Sequence, residues 1–154
     1  MSSATFPALA LLSFTADALR ACGLPERDAE IAAKAMIEAD LTGADAHGIF
    51  RLASYVKVLQ QRRINPQAKM RVIARGPATA LIDGYNGMGH LVMTFAAETA
   101  VEIARQSGVG WVGARRSNHA GAAGIYAAIP LRHGMIGIYA ASSSANHMAP
   151  TGGA

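Results

Sequence analysis

Gly108-Val109-Gly110-Trp111-Val112-Gly113 carries the letters of the dinucleotide fingerprint G-x-G-x-x-G. In a working fingerprint the glycines leave a strand and open a helix, so that a diphosphate meets the helix N-terminus. The neighbours here reverse that order. Residues 90–106 space their apolar side chains with a helical period, and residues 108–114 read as a buried strand. The acid expected about 20 residues further on is missing, since no Asp or Glu follows Glu102. The stretch predicts a turn and a strand lying close against a neighbouring backbone, not a Rossmann site.

Upstream, residues 7–22, 27–42 and 48–62 read as three amphipathic helices. Gly23-Leu24-Pro25 separates the first two, Asp45 and Gly48 punctuate the start of the third, and Asn65-Pro66 stops it. Two short strands follow, near residues 70–74 and 78–82, with Asp83-Gly84 as a turn signal. Downstream, residues 121–133 read as a helix and 135–141 as a further strand. The order predicts an α/β fold: a helical segment over residues 1–66, then a mixed sheet with flanking helices over residues 67–154. The last residues, Ala149-Pro150-Thr151-Gly152-Gly153-Ala154, read as the middle of a loop and predict a truncated domain.

Bulk properties narrow the function. The chain has 154 residues, 51% of them hydrophobic and 16% charged, enough apolar content for one good core or two small ones and too much for a disordered chain. No apolar run reaches the ~18 residues of a membrane span. The segment from Phe6 to Leu19 lacks a basic start and carries Asp17, so it reads as an amphipathic helix, not a signal peptide. A lone Cys22 forms no internal disulfide and fits a reducing compartment, the cytoplasm by default. Residues 103–154 hold Arg105, Arg115, Arg116 and Arg132 and no acid. These four are too sparse for a nucleic-acid footprint. They suit a small anionic ligand, or their balancing acids lie outside this stretch.

Two clusters carry candidate chemistry. In Asp40-Leu41-Thr42-Gly43-Ala44-Asp45-Ala46-His47-Gly48-Ile49-Phe50-Arg51-Leu52-Ala53-Ser54-Tyr55, a histidine, an arginine and a tyrosine stand four residues apart. Helical residues four apart share a face, so His47, Arg51 and Tyr55 would form one stripe able to bind and protonate a small anion. The second cluster, Ser117-Asn118-His119-Ala120-Gly121-Ala122-Ala123-Gly124-Ile125-Tyr126, follows a strand end, where open α/β sheets place ligands. Small residues after His119 leave room beside its imidazole. His119 reads either as a catalyst or as a structural histidine. The five histidines lack metal-ligand spacing, and there is no G-x-S-x-G elbow. Imidazole is therefore the proton carrier this sequence offers.

Taken in order, the segments Asp40-Leu41-x-Gly43-x-Asp45-x-His47-Gly48-x-x-Arg51-Leu52-x-x-Tyr55, Ile64-Asn65-Pro66, Ile82-Asp83-Gly84, Gly108-Val109, Ser117-Asn118-His119-x-Gly121-x-x-Gly124-x-Tyr126 and Ala149-Pro150-x-Gly152-Gly153 resemble the malate/L-lactate dehydrogenase family of NAD(P)-dependent 2-oxoacid reductases. The resemblance implies a non-Rossmann, sulfolactate dehydrogenase-like fold, a homodimer and NAD or NADP as cofactor. It also implies hydride transfer between that cofactor and a small anionic 2-oxo or 2-hydroxy acid. His119 and His47 would be the catalytic pair facing the substrate carbonyl, either of them the acid, with His119 the first choice. Arg51 would hold the substrate carboxylate, Tyr55 would border the pocket, and His47 and Gly121 would touch the cofactor. No metal is implied. Ala46 stands where the family usually has serine, which removes a hydroxyl from the substrate wall. Members are also roughly twice as long, and the part that carries most cofactor contacts lies beyond the Pro-x-Gly-Gly loop. The alternative expectation is a non-catalytic fragment or small-anion-binding module without the cofactor half of the site.

Overall fold

The computed structural model describes residues 5–142. The chain opens with two antiparallel-packing candidates for one core: α1 (Ala8–Ala21) and α2 (Glu26–Leu41). Each starts at a proline, Pro7 and Pro25, whose fixed φ suits a helix start. Glu26 and Asp28 in the first turn of α2 complement its dipole. The buried face of α2 is mostly alanine (Ala29, Ala32, Ala33), and these short side chains let α1 lie close. Gly23, at φ +94°, turns the chain between the helices.

α3 (Leu52–Gln60) brings Leu52, Tyr55 and Leu59 into the same core, with Leu19, Met36 and Ile64. The sheet follows as β1 (Arg71–Arg75), β2 (Thr79–Asp83) and β3 (Trp111–Arg115), ordered β1-β2-β3. β1 pairs antiparallel with β2, with a register irregularity between Val72 and Ala74. β2 pairs parallel with β3, from Thr79 beside Trp111 to Asp83 beside Arg115. A parallel pair needs a crossover, and α4 (Gly89–Ser107) supplies it. Its Met88 and Leu91 end joins the helical core, while Val92 and Ala96 pack under Ile82 of the sheet. The sheet is thus mixed, as the sequence predicts.

The glycine-rich stretch forms the expected turn and strand, but the strand is not buried: Trp111 is 64% exposed and none of Trp111–Arg115 is buried. Gly108 adopts φ +80° and caps the C-terminus of α4. Gly110 lies so close to α4 that a Cβ there would stand 2.2 Å from the Ala100 carbonyl oxygen. The strand begins only at Trp111.

Three expectations are corrected. Residues 48–62 are not one helix: Asp45–His47 and Ile49–Arg51 form separate 3-10 turns, broken at Gly48, and the α-helix starts at Leu52. Residues 121–133 divide into α5 (Ala123–Ala127) and a 3-10 turn, Ile129–His133, because Pro130 lacks the N–H that a continuing helix needs. Residues 135–141 alternate in exposure, as a strand does, but pair with no strand among the described residues. Ile136 and Ile138 are 89% and 82% exposed. A strand is defined by its ladder, and alternation alone does not make one. The Ala149–Gly153 motif lies outside the described residues.

Candidate active site

Asp40 builds the first wall. From the C-terminal turn of α2 its Oδ2 accepts the Ile49 N–H at 2.9 Å, satisfying a donor at the start of a 3-10 turn. A Cβ on residue 48 would fall 1.7 Å from Asp40 Oδ1, so only glycine lets the chain pass this carboxylate. The fold-back places His47 and Arg51 on successive turns, and Arg51 Nε donates to the Ala46 carbonyl at 2.9 Å. The helical stripe drawn from the sequence is therefore broken, yet its members stay together.

β3 delivers the second wall. Asp83, 3% exposed at the end of β2, receives Arg116 Nε at 2.8 Å, the Tyr85 N–H at 2.9 Å and Arg115 Nη2 at 3.4 Å. Burial alone would push its carboxyl up, but Arg116, the Tyr85 amide and Arg115 together hold it below its usual value. Arg116, Tyr85 and Asn86 all have left-handed φ, near +50° to +58°. Their loops interlock: the Asn86 N–H reaches the Arg116 carbonyl at 2.9 Å, and Asn118 Nδ2 donates to Asn86 Oδ1 at 3.0 Å and to the Gly87 carbonyl at 2.9 Å. Strained backbone of this kind persists only where surroundings over-determine it, and it concentrates at functional sites. Beyond His119, the buried Tyr126 donates its hydroxyl to the Ala120 carbonyl.

These walls meet at His119. Tyr55 Oη lies 2.7 Å from His119 Nδ1, and the Gly121 N–H donates to the same nitrogen at 3.3 Å. An amide N–H can only donate, so neutral His119 accepts at Nδ1 and carries its proton on Nε2. Tyr55 is suited to be the other donor. Burial pushes its phenol up to about 12, against a smaller opposing effect of Arg51, so it stays protonated at neutral pH. The His47 ring stacks on His119 with centroids 5.5 Å apart. His47 Nδ1 is buried without a hydrogen-bond partner.

A cleft of about 260 Å³ opens between the walls, lined by Arg51, Ser54, Tyr55, Arg63, Asn118 and His119 among others. His47 backs His119 and does not line the cleft; Gly121 touches His119 through its amide. The sequence reading missed two residues. Arg63 brings a second guanidinium to the cleft, signalled by the Arg62-Arg63 pair just before Ile64-Asn65-Pro66. His90 lies fully buried against Tyr55, and its placement between apolar Leu91, Val92 and the Gly-Met-Gly turn was the available signal. Among the described residues no acid pairs with Arg51 or Arg63. In contrast Arg115 and Arg116 are taken by Asp83, and Arg132 reaches Glu38 at 3.8 Å. The anion-binding capacity of the acid-free segment is largely spent inside the fold. A larger hollow of about 660 Å³, beside Cys22 and Asn65, holds no proton-transfer pair, and burial raises the Cys22 thiol. Among the described residues no group of His, Cys, Asp or Glu could hold a metal ion, and no helix is long and apolar enough to cross a membrane.

Comparison with known proteins gives one answer throughout. The malate dehydrogenase of Pyrococcus abyssi is 43% identical over 143 residues, 93% of this chain and 39% of that protein. The L-sulfolactate dehydrogenase of Methanocaldococcus jannaschii is 41% identical over 137 residues, 89% of this chain and 40% of that protein. The solved malate dehydrogenase of Pyrococcus horikoshii OT3 superposes with a TM-score of 0.83 at 41% identity, over 86% of this chain and 38% of that one. The chain therefore spans about two fifths of the length of the relatives it matches. The family model for malate/L-lactate dehydrogenase matches residues 6–154, and this chain belongs to that family.

Proposed function

We propose that this chain supplies the substrate side of an oxidoreductase that interconverts a small 2-hydroxy acid and its 2-oxo acid, with NAD or NADP as hydride carrier. One observation carries the reading: a histidine with Nδ1 committed to Tyr55 and Gly121, in a small cleft that also holds two guanidiniums without acid partners among the described residues. Arg51 or Arg63 holds the substrate carboxylate through a guanidinium fork. His119 gives its Nε2 proton to the carbonyl oxygen as the 2-oxo acid is reduced, and takes it back in the reverse direction. Tyr55 and the Gly121 amide keep the imidazole in that tautomer. His47, stacked behind His119, is the second catalytic candidate.

The nicotinamide, when bound, supplies or accepts the hydride. The G-x-G-x-x-G stretch does not fit its diphosphate: Gly110 is pressed against α4 and Gly113 lies within β3, so neither forms a cradle. His47 and Gly121 remain the proposed contacts to the cofactor, and a cytoplasmic homodimer remains the proposed assembly.

The test is a panel of 2-oxo acids, including oxaloacetate, pyruvate and sulfopyruvate, assayed with NADH and NADPH on the full-length gene product. At least one should be reduced, and Arg51→Ala should raise KM for it roughly 10- to 100-fold, the loss expected for a charge-assisted hydrogen-bond pair. Absence of turnover across the panel would contradict the reading.

A further inference from the structure

His90 is a buried titratable group that this chemistry does not use and, unlike the buried Asp83 and Tyr126, it has no hydrogen-bond partner. It occupies the second position of α4, is 1% exposed, and neither ring nitrogen has a hydrogen-bond partner. Unpaired buried donors and acceptors are costly and rare in native proteins, so one histidine with both nitrogens unpaired requires a reason.

Its surroundings supply one. The Tyr55 ring meets the His90 ring edge-on, with centroids 5.1 Å apart and planes at 84°. On the opposite contact, a Cβ added to Gly121 would stand 3.0 Å from His90 Nε2, so the imidazole rests directly against Gly121. Tyr55 and Gly121 both hold His119 Nδ1. One ring thus backs both. Gly89, its neighbour, packs against the same loop: a Cβ there would lie 2.2 Å from the Asn118 carbonyl oxygen and 2.4 Å from that of His119.

We propose that His90 is a positioning residue for the reaction, a neutral imidazole that fixes Tyr55 and Gly121 and through them locks His119 in the tautomer that carries its proton on Nε2. The inference rests on the reductase reading for its purpose, but the locking itself is a property of the chain. The titratable groups around His90 are Tyr55 on α3, His47 on the 3-10 turn and His119 in the loop. Burial first, then His119 and His47, push His90 down to about 3, so it stays uncharged at neutral pH. A leucine would fill the space at lower desolvation cost. It would lack the planar polar end that the imidazole, or a glutamine amide, sets against Tyr55 and Gly121.

The test compares the parent with His90→Leu and His90→Gln, the second keeping a neutral polar group of similar reach. Long-range proton–nitrogen NMR of the histidine side chains at pH 8 reads the tautomer without any cofactor or substrate. The parent should show His119 as a single Nε2–H species. His90→Leu should show a mixture of both tautomers while melting at or above the parent temperature, and His90→Gln should recover most of the Nε2–H signal. On the best 2-oxo acid, His90→Leu should lower kcat at least ten-fold with KM within two-fold. An unchanged His119 tautomer in His90→Leu would overturn the proposal, as would a parent already mixed. Should His90→Leu fail to fold, a His90→Gln spectrum dominated by the other tautomer overturns it equally. A parent with the Nε2–H tautomer and no turnover would sink the reductase reading and leave the positioning role standing.

Discussion

The Tyr55 hydroxyl shows how much a single atom decides. It is a donor to His119 Nδ1 beside the Gly121 amide, and the ring that carries it is 5% exposed in the helical core. Tyr55→Phe keeps the packing and removes the donor. At about 1 kcal/mol for such a bond, kcat should fall roughly five-fold while the melting temperature stays near the parent value. Kinetics beside thermal melts check this. Gly48 tests a steric demand instead. Its φ of −87° is not left-handed, and the contact that Gly48→Ala would make is with the Asp40 carboxylate. Expected is a loss of about 1–3 kcal/mol, typical of overpacking. Asp40→Ala in the same chain should recover part of it, measured as coupling in a double-mutant cycle. The identities of His47, Arg51, Tyr55 and His119 were legible in the sequence, since polar residues in glycine-broken stretches stand out. His90 was not, because a buried histidine inside an apolar run looks like any core position until its neighbours are known.

Elements, more than residues, set the site's shape. α4 is the piece that makes it: its first turn lies under the Asn118–His119 backbone, its length crosses between β2 and β3, and both apolar clusters rest on it. Gly89→Ala places a methyl group within 2.6 Å of backbone atoms of both Asn118 and His119, where no flexible side chain can yield. The loop must move, so kcat should drop more than ten-fold while α4 keeps its helical circular dichroism. Assays paired with spectra decide. Several elements could be read from periodicity: α1, α2, α4 and the three strands fall near their expected positions. The decoy fingerprint could be dismissed for the same reason, since the order of helix, glycine and strand is local information. The Ile49–Arg51 turn could not be read. Its start is fixed by Asp40, nine residues back, and periodicity carries no such contact. That residues 135–141 pair with no strand among the described residues was equally hidden, because pairing depends on strands elsewhere.

At the scale of the molecule, two buried groups tie stability to pH in separate windows. His90 binds a proton less readily folded, near 3, than unfolded, near the ordinary value of 6.5. Its folded state therefore loses stability as pH falls below about 6.5, by roughly 2 kcal/mol between pH 7 and pH 5. The loss should be absent in His90→Leu, as chemical denaturation at the two pH values would show. Asp83 acts lower. Its folded value is depressed, so its contribution is present above the unfolded carboxylate range and is lost only as pH falls through and below about 4. Asp83→Asn should accordingly be destabilising at pH 7 and closer to neutral at pH 3. The proposed reaction turns on one proton, carried on Nε2 of His119 while Tyr55 and Gly121 hold Nδ1. The most direct measurement is kcat of His119→Ala against the parent on the best 2-oxo acid, with melting curves recorded alongside. A fall of about 10²–10⁴-fold with an unchanged melting temperature is expected of a general acid. A kcat within two-fold of the parent, in a variant that folds as well, would contradict it.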